Sequence, residues 1–105
     1  MKVYNYIDNY SDEKIYIKCC NYHNGNLCLQ SFCEDGEPFA RLSVNFPHII
    51  AKYCFYADVN NVENLCSFLI ENGIAKPVLN KFVNSGFIIY PLFKLTNEFI
   101  KENNL

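Results

Sequence analysis

Tryptophan is absent from this 105-residue chain, methionine occurs once, and glycine and proline occur four times each. The four glycines all sit where a turn or a helix end is expected, so none is left for a loop that cradles phosphates. A His-Glu metal motif, a nucleophile elbow and a kinase signature are likewise missing. Charge of one sign is also lacking: nine Lys and Arg against eleven Asp and Glu give a formal net charge of −2. Tight nonspecific binding to DNA or RNA needs cations that neutralise phosphates, and Arg41 with scattered lysines is a poor supply. A nucleic-acid mimic needs dense carboxylates, whereas the richest acidic stretch, Glu34-Asp35-Gly36-Glu37, reads as a turn. No apolar run approaches the ~18 residues of a membrane span. The longest, Phe87 to Phe93, has the length of a strand. No basic start, apolar stretch and small-residue cleavage site mark an export signal. A cytoplasmic location is expected, with no membrane association.

What the chain does have is apolar bulk. Half of its residues are hydrophobic and 16% are aromatic, enough for one two-layer core and too much for a disordered segment. Heavy use of Asn beside Ile, Lys, Tyr and Phe reflects AT-rich codons. The length is that of one domain, residues 1–105. Six cysteines in a secreted chain would suggest a disulfide framework; without an export signal they are expected as reduced, mostly buried thiols. A zinc site from Cys20, His23, Cys28 and Cys33 is the sharper alternative. It is opposed by the alternation of a strand over 26–33, which sends Cys28 and Cys33 to opposite faces. Cysteine catalysis would need a nearby base, and only His23 and His48 are on offer.

Residues 2–7 alternate as a strand, then Asp8-Asn9-Tyr10-Ser11-Asp12 forms a turn cluster. A second strand covers 13–20. Asn24-Gly25 predicts a hairpin through a type I′ turn, with 26–33 as the return strand. Asp35-Gly36 predicts another hairpin, followed by a strand over 39–46 that buries Ala40, Leu42, Val44 and Phe46 and ends at Pro47. A fifth strand is expected over 52–57. The main helix runs from about Val62 to Asn72, capped by Asn60 or Asn61, with Val62, Leu65, Cys66 and Leu69 on its buried face. Gly73 suits the left-handed residue after it, with Ile74 in hydrophobic contact. Residues 75–85, holding Pro77, read as an ordered loop. A last strand covers 86–95, its Pro91 requiring an edge or a bulge. Thr96 caps a short terminal helix with a Leu95–Ile100 staple. The expected fold class is α+β: an antiparallel β-sheet of about five to six strands, one main helix packed on one face, and a short C-terminal helix.

No catalytic residues, metal ligands or cofactors emerge from this pattern. Asp58, at a strand-to-helix junction beside Asn60 and Asn61, is the best single functional carboxylate, against the plainer reading that all three cap the helix. Tyr4, Tyr6, Tyr16, Tyr22, Tyr53, Tyr56 and Tyr90 exceed the needs of one small core, so a tyrosine-rich open sheet face is expected as a protein contact surface or a homodimer interface.

Three segments carry a resemblance: Ala40-Arg41-Leu42-Ser43-Val44-Asn45-Phe46-Pro47, Glu71-Asn72-Gly73-Ile74-Ala75-Lys76-Pro77, and Ser85-Gly86-Phe87 with Tyr90-Pro91-Leu92-Phe93-Lys94. In this order, over roughly residues 26–95, they resemble an uncharacterised domain family carried by phages, plasmids and conjugative elements of Firmicutes. Members read "LTVNLP", "ENGLAKPTG" and "SGF..YPLYKF" there, and their "DTNN" is similar to Asp58-x-Asn60-Asn61. Ser43, Phe46 and Val78-Leu79 depart from that pattern. The resemblance implies a setting rather than a reaction: a non-enzymatic protein in the host cytosol that binds a protein partner, such as a CRISPR effector or another defence complex. Asp58, Asn60, Asn61, Lys76, Lys81 and Arg41 are the expected contact residues. A housekeeping or structural partner of the mobile element, and a thiol- or zinc-dependent protein, are the alternatives.

Overall fold

A computed structural model of the chain describes residues 2–10 and 12–105. The first sheet is the meander β1 (Tyr4–Ile7), β2 (Asp12–Asn21), β3 (Leu27–Cys33) and β4 (Pro38–Arg41), all antiparallel and in chain order. The second holds β5 (Ser43–Val44), β6 (Cys54–Ala57), β7 (Ala75–Ser85) and β8 (Ile88–Leu95) in the order β5-β6-β8-β7. Helix α1 (Leu65–Glu71) links β6 to β7, and α2 (Asn97–Glu102) follows β8.

The α+β class holds, but the single sheet under one main helix gives way, among the described residues, to eight strands in two sheets with two short helices. The reason lies in the expected strand 39–46, which breaks at Leu42. The Leu42 amide donates to Leu29 O in the first sheet, at 2.9 Å, and its carbonyl accepts from Asp58 N in the second, at 3.0 Å. The strand thus leaves one sheet and enters the other within one residue. The amide of Leu29, left behind at that fork, donates to the Ser43 hydroxyl at 3.0 Å. Tyr22 Oη lies 2.8 Å from the same oxygen. A further irregularity, between Ser31 and Phe32, is filled by Ser31 Oγ, which donates to Ala40 O and accepts from Ala40 N.

Both predicted hairpins of the meander form, by a different turn. At each, the amide of the glycine bonds to the carbonyl three residues back, Tyr22 or Cys33. Only the glycine has positive φ, 92° at Gly25 and at Gly36. A type I′ turn needs two such residues, so these are type I turns closed by a glycine bulge. The side chains of Asn24 and Asp35 accept from the amides two residues on. Ile7 pairs with Asp12 across the first turn cluster, whose Ser11 lies outside the described residues.

Helix α1 starts at Leu65 rather than Val62. The Asp58 carboxylate instead holds a turn, accepting from Asn61 N and from Asn61 Nδ2 at 3.0 Å. Asn64, at φ 60°, precedes the helix without a side-chain cap and donates to Ile7 O. The far end follows expectation: Ile74 N donates to Leu69 O and Gly73 N to Ile70 O, the paired bonds of a Schellman motif. Thr96 caps α2 by accepting from Phe99 N and donates to Gly73 O, tying the two helix ends together.

One core joins the inward faces of the two sheets, with Tyr4, Tyr6, Ile15, Ile17 and Leu29 from the first and Phe55, Ala57, Phe93 and Leu95 from the second. Leu65, Phe68 and Leu69 of α1 and Phe99 of α2 complete it. Tyr4 and Tyr6 are therefore core residues and not part of an open tyrosine face. Their rings meet Phe68 edge-on, and the Tyr6 hydroxyl donates to Glu63 O. Tyr56 is buried as well, while Asn5 and Ile7 take the solvated side of β1.

Leu42 is fully buried, so Leu42→Ala should cost about 2–5 kcal/mol in urea unfolding. Ser43→Ala, which strands the Leu29 amide and the Tyr22 hydroxyl, should cost about 1–3 kcal/mol. Burial also raises several acid groups. Tyr4 is pushed up to about 12, with Glu102 and Cys19 adding. Tyr22 rises to about 12, and Cys19 to about 11 with help from Cys20 and Cys28. The unfolded chain releases these protons nearer 10.0 and 9.0. The folded state holds them longer, so stability is full below pH 9 and falls as pH rises toward 12. Denaturant midpoints measured across that window should fall as phenolate absorbance rises.

Candidate interaction surface

Residues 75–85, expected as a loop, form β7, the edge strand of the second sheet. Its first three residues pair with β8 from Ala75↔Leu95 to Pro77↔Phe93, and its last four from Phe82↔Pro91 to Ser85↔Ile88. Between them, residues 78–81 bulge out opposite Leu92 alone, with Asn80 at φ 62°. The hairpin closes over Gly86-Phe87, a two-residue loop led by a glycine at φ 62°, as a II′ turn requires.

The position of β6 turns this hairpin into an arm. The β6–β8 ladder runs from Cys54↔Lys94 to Tyr56↔Leu92. Beyond Leu92, β8 is paired only with β7, so residues 82–91 project as a two-stranded ribbon, roughly 13 Å past the last β6 pair. Pro91 stands where β8 outruns β6, which meets its need for an edge.

Strand alternation assigns the faces of this arm. Phe93 and Leu95 are buried inward, so Ile89 and Pro91 continue the same face, joined by Phe82, the partner of Pro91. Having run past the core, that face is bare: Phe82 is 53% and Ile89 58% exposed. Leu79 on the bulge is 83% exposed, and Phe87 at the tip is wholly in solvent. The other face is covered. Tyr90 packs on Phe46, which also meets Tyr56, and Tyr56 Oη lies 2.9 Å from His48 Nε2.

Charge singles out the same region. Residues 75–95 hold Lys76, Lys81 and Lys94 and no carboxylate, in a chain of net charge −2. All three lysines are exposed.

The residues expected at the contact surface fall in three places. Lys76 and Lys81 are exposed on β7, at the base of the arm and beside Phe82. Asn60 and Asn61 are exposed on the turn after β6, but Asp58 is buried and holds that turn through Asn61, so it does not cap α1 as the plainer reading had it. Neither Asn60 nor Asn61 caps α1. Arg41 is exposed at the end of β4 on the first sheet, its guanidinium 5.9 Å from the Tyr22 ring centre. Of the tyrosines expected on an open face, Tyr16, Tyr22, Tyr53 and Tyr90 are half-buried. Leu79, Phe82, Phe87 and Ile89 were not anticipated, although Ser85-Gly86-Phe87 between two apolar runs carries a hairpin signature.

Among the described residues no group of three or more His, Cys, Asp or Glu side chains stands ready to hold a metal ion. Cys33 faces inward with Ile15, while Cys28 lies on the opposite face of β3, as alternation predicts. Among the same residues no helix is long and apolar enough to cross a membrane. A cleft between the β2–β3 turn and Ile50–Tyr53 encloses about 250 Å³ and has Lys52 as its one charged side chain.

The model of a domain of unknown function, DUF4313, matches residues 16–104, so the chain belongs to that family. Comparison with curated proteins and with solved structures gives no match.

Substitution at the arm should leave the body intact. Leu79→Ser with Phe87→Ser should shift unfolding free energy by no more than about 0.5 kcal/mol per site, because neither side chain is buried. Thermal unfolding of the double variant checks this.

Proposed function

We propose that this member of the DUF4313 family is a non-enzymatic protein-binding module whose β7–β8 arm makes the contact. The observation that carries this reading is the bare inner face of the arm. Leu79, Phe82, Phe87 and Ile89 keep large apolar side chains in water, at a cost that burial against a partner would remove. Apolar anchors with a charged rim are the usual make-up of a protein contact. Lys81, exposed beside Phe82, is the charge at the edge of that face, while Lys76 and Lys94, paired on the opposite face, add to the positive field around it, which favours an apolar groove edged by carboxylates on the partner. A strand-addition contact is disfavoured, because Pro77 and the 78–81 bulge interrupt the exposed edge of β7.

The setting we propose follows the resemblance of residues 26–95 to proteins of phages and mobile elements: the host cytosol, with a defence nuclease complex, such as a CRISPR effector, as the partner. Of the expected contact residues, Lys76 and Lys81 lie nearest the arm, at its base. Asn60, Asn61 and Arg41 are exposed elsewhere and would take part only in a larger footprint.

A plasmid-challenge assay in a host with an active defence nuclease tests this. Expression of the protein should abolish interference, and the nuclease complex should copurify with it. The variant Leu79→Ser/Phe82→Ser/Phe87→Ser/Ile89→Ser should fold, restore interference and lose the complex. Full interference in the presence of the wild type, or an arm variant as potent as the wild type, would overturn the reading. A dimer in sedimentation that the same variant dissolves would assign the arm to self-association instead.

A further inference from the structure

The six cysteines are all free thiols, and two of them face one another. Cys20 on β2 and Cys28 on β3 are direct cross-strand partners. Alternation places both side chains on the outer face of the first sheet. Directly opposed residues of an antiparallel pair have Cα atoms about 4.5–5.5 Å apart, inside the span of roughly 4.4–6.8 Å that a disulfide bridges. The neighbouring thiols are aimed elsewhere: Cys19 pairs with Leu29 and Cys33 with Ile15, both on the inward face.

The backbone around the pair is held in register. Tyr22 N donates to Asn26 O at 2.8 Å, and Asn26 Nδ2 donates to Asn45 Oδ1 and His48 O. On the far side, Leu29 is fixed by Leu42 and Ser43. The two sulfurs therefore meet without a change of fold. They also differ in access, since Cys20 is exposed and Cys28 is buried.

We propose that Cys20 and Cys28 form a reversible intramolecular disulfide, so that the β2–β3 ribbon is a site of thiol oxidation by hydroperoxides. Cys20, the sulfur that a reagent reaches first, attacks one peroxide oxygen as the thiolate. An S–O bond forms, the O–O bond breaks, and the departing hydroxide takes up the thiol's proton to leave as water. Cys28 then attacks the Cys20 sulfur as the thiolate. The S–S bond forms, the S–O bond breaks, and a second water leaves with the Cys28 proton. The two sulfurs lose two electrons together, and one hydrogen peroxide gains them. A small dithiol reverses the change by exchange. The product ties β2 to β3 beside the sheet fork, leaving the arm of the second sheet untouched, so this proposal stands apart from the binding role.

Hydrogen peroxide treatment of the full-length reduced protein, followed by thiol titration and intact mass, is the test. The expected result is a fall from six free thiols to four, a loss of two hydrogen atoms in mass, no disulfide link between chains, a raised thermal midpoint, and full recovery with dithiothreitol. Cys20→Ser, at an exposed position, should abolish the two-hydrogen loss, and so should Cys28→Ser, while Cys19→Ser and Cys33→Ser should keep it. Phenylarsine oxide, which bridges adjacent thiols without oxidising them, should bind the wild type one to one and Cys20→Ser not at all. Six thiols surviving the treatment, a two-hydrogen loss that persists in Cys20→Ser, or a disulfide-linked dimer in place of the internal bond would overturn the proposal. Absence of stoichiometric arsenical binding would overturn it as well.

Discussion

Both sheets depend on how Leu42 divides its two backbone groups. An internal strand residue normally spends its amide and carbonyl within one sheet; here the amide serves β3 and the carbonyl serves the segment after β6. The division sets the register of each sheet against the other and lets a four-residue run, Pro38–Arg41, pass straight into Ser43–Val44. It also strands one amide, that of Leu29, in a buried place, where an unpaired donor is costly. Ser43 supplies the missing acceptor, and the Tyr22 hydroxyl supports it. Among the described residues no buried side-chain nitrogen or oxygen is left without a partner either.

Local chemistry was the most legible part of the sequence. Gly25, Gly36, Gly73 and Gly86 each occupy a left-handed position, and both helix ends near Gly73 and Thr96 follow from residue type. The fork was not legible, because Ala40, Leu42, Val44 and Phe46 alternate without interruption and periodicity carries no information about which neighbour a strand pairs with. β7 was hidden for the opposite reason: Pro77 and the bulge at 78–81 break the period of a real strand. The tyrosines misled because a phenol fits either side of a sheet. Tyr4 and Tyr6 go inward because Phe68 meets their rings and Glu63 O receives the Tyr6 hydroxyl, contacts some sixty residues away in the chain. On the proposed contact surface, Lys76 and Lys81 were expected from the sequence and the apolar residues beside them were not. Their exposure depends on β6 being short.

Asparagine illustrates how composition and conformation work together. Among the described residues, three of the four with positive φ other than glycine are Asn64, Asn80 and Asn104, where a short polar side chain tolerates the left-handed region better than most. Asn26 joins the β2–β3 turn to the 45–50 segment through bonds to Asn45, His48 and Ile50. An amino acid that base composition makes abundant has been placed where glycines would otherwise be needed, and it restrains the chain more than glycine would.

The overhang of β8 beyond β6 has a consequence for motion. Backbone bonds in the 82–91 ribbon are braced by one neighbouring strand and by Phe46 against Tyr90, whereas those at 92–95 lie in a ladder flanked on both sides. Local opening of the outer ribbon thus exposes almost none of the shared core and requires far less free energy than opening the body. Its amide hydrogens would exchange with solvent on their own schedule, ahead of those in 54–57. A segment that can breathe and reclose while the rest stays folded can adjust its shape to what it meets, with the stability of the whole left unchanged.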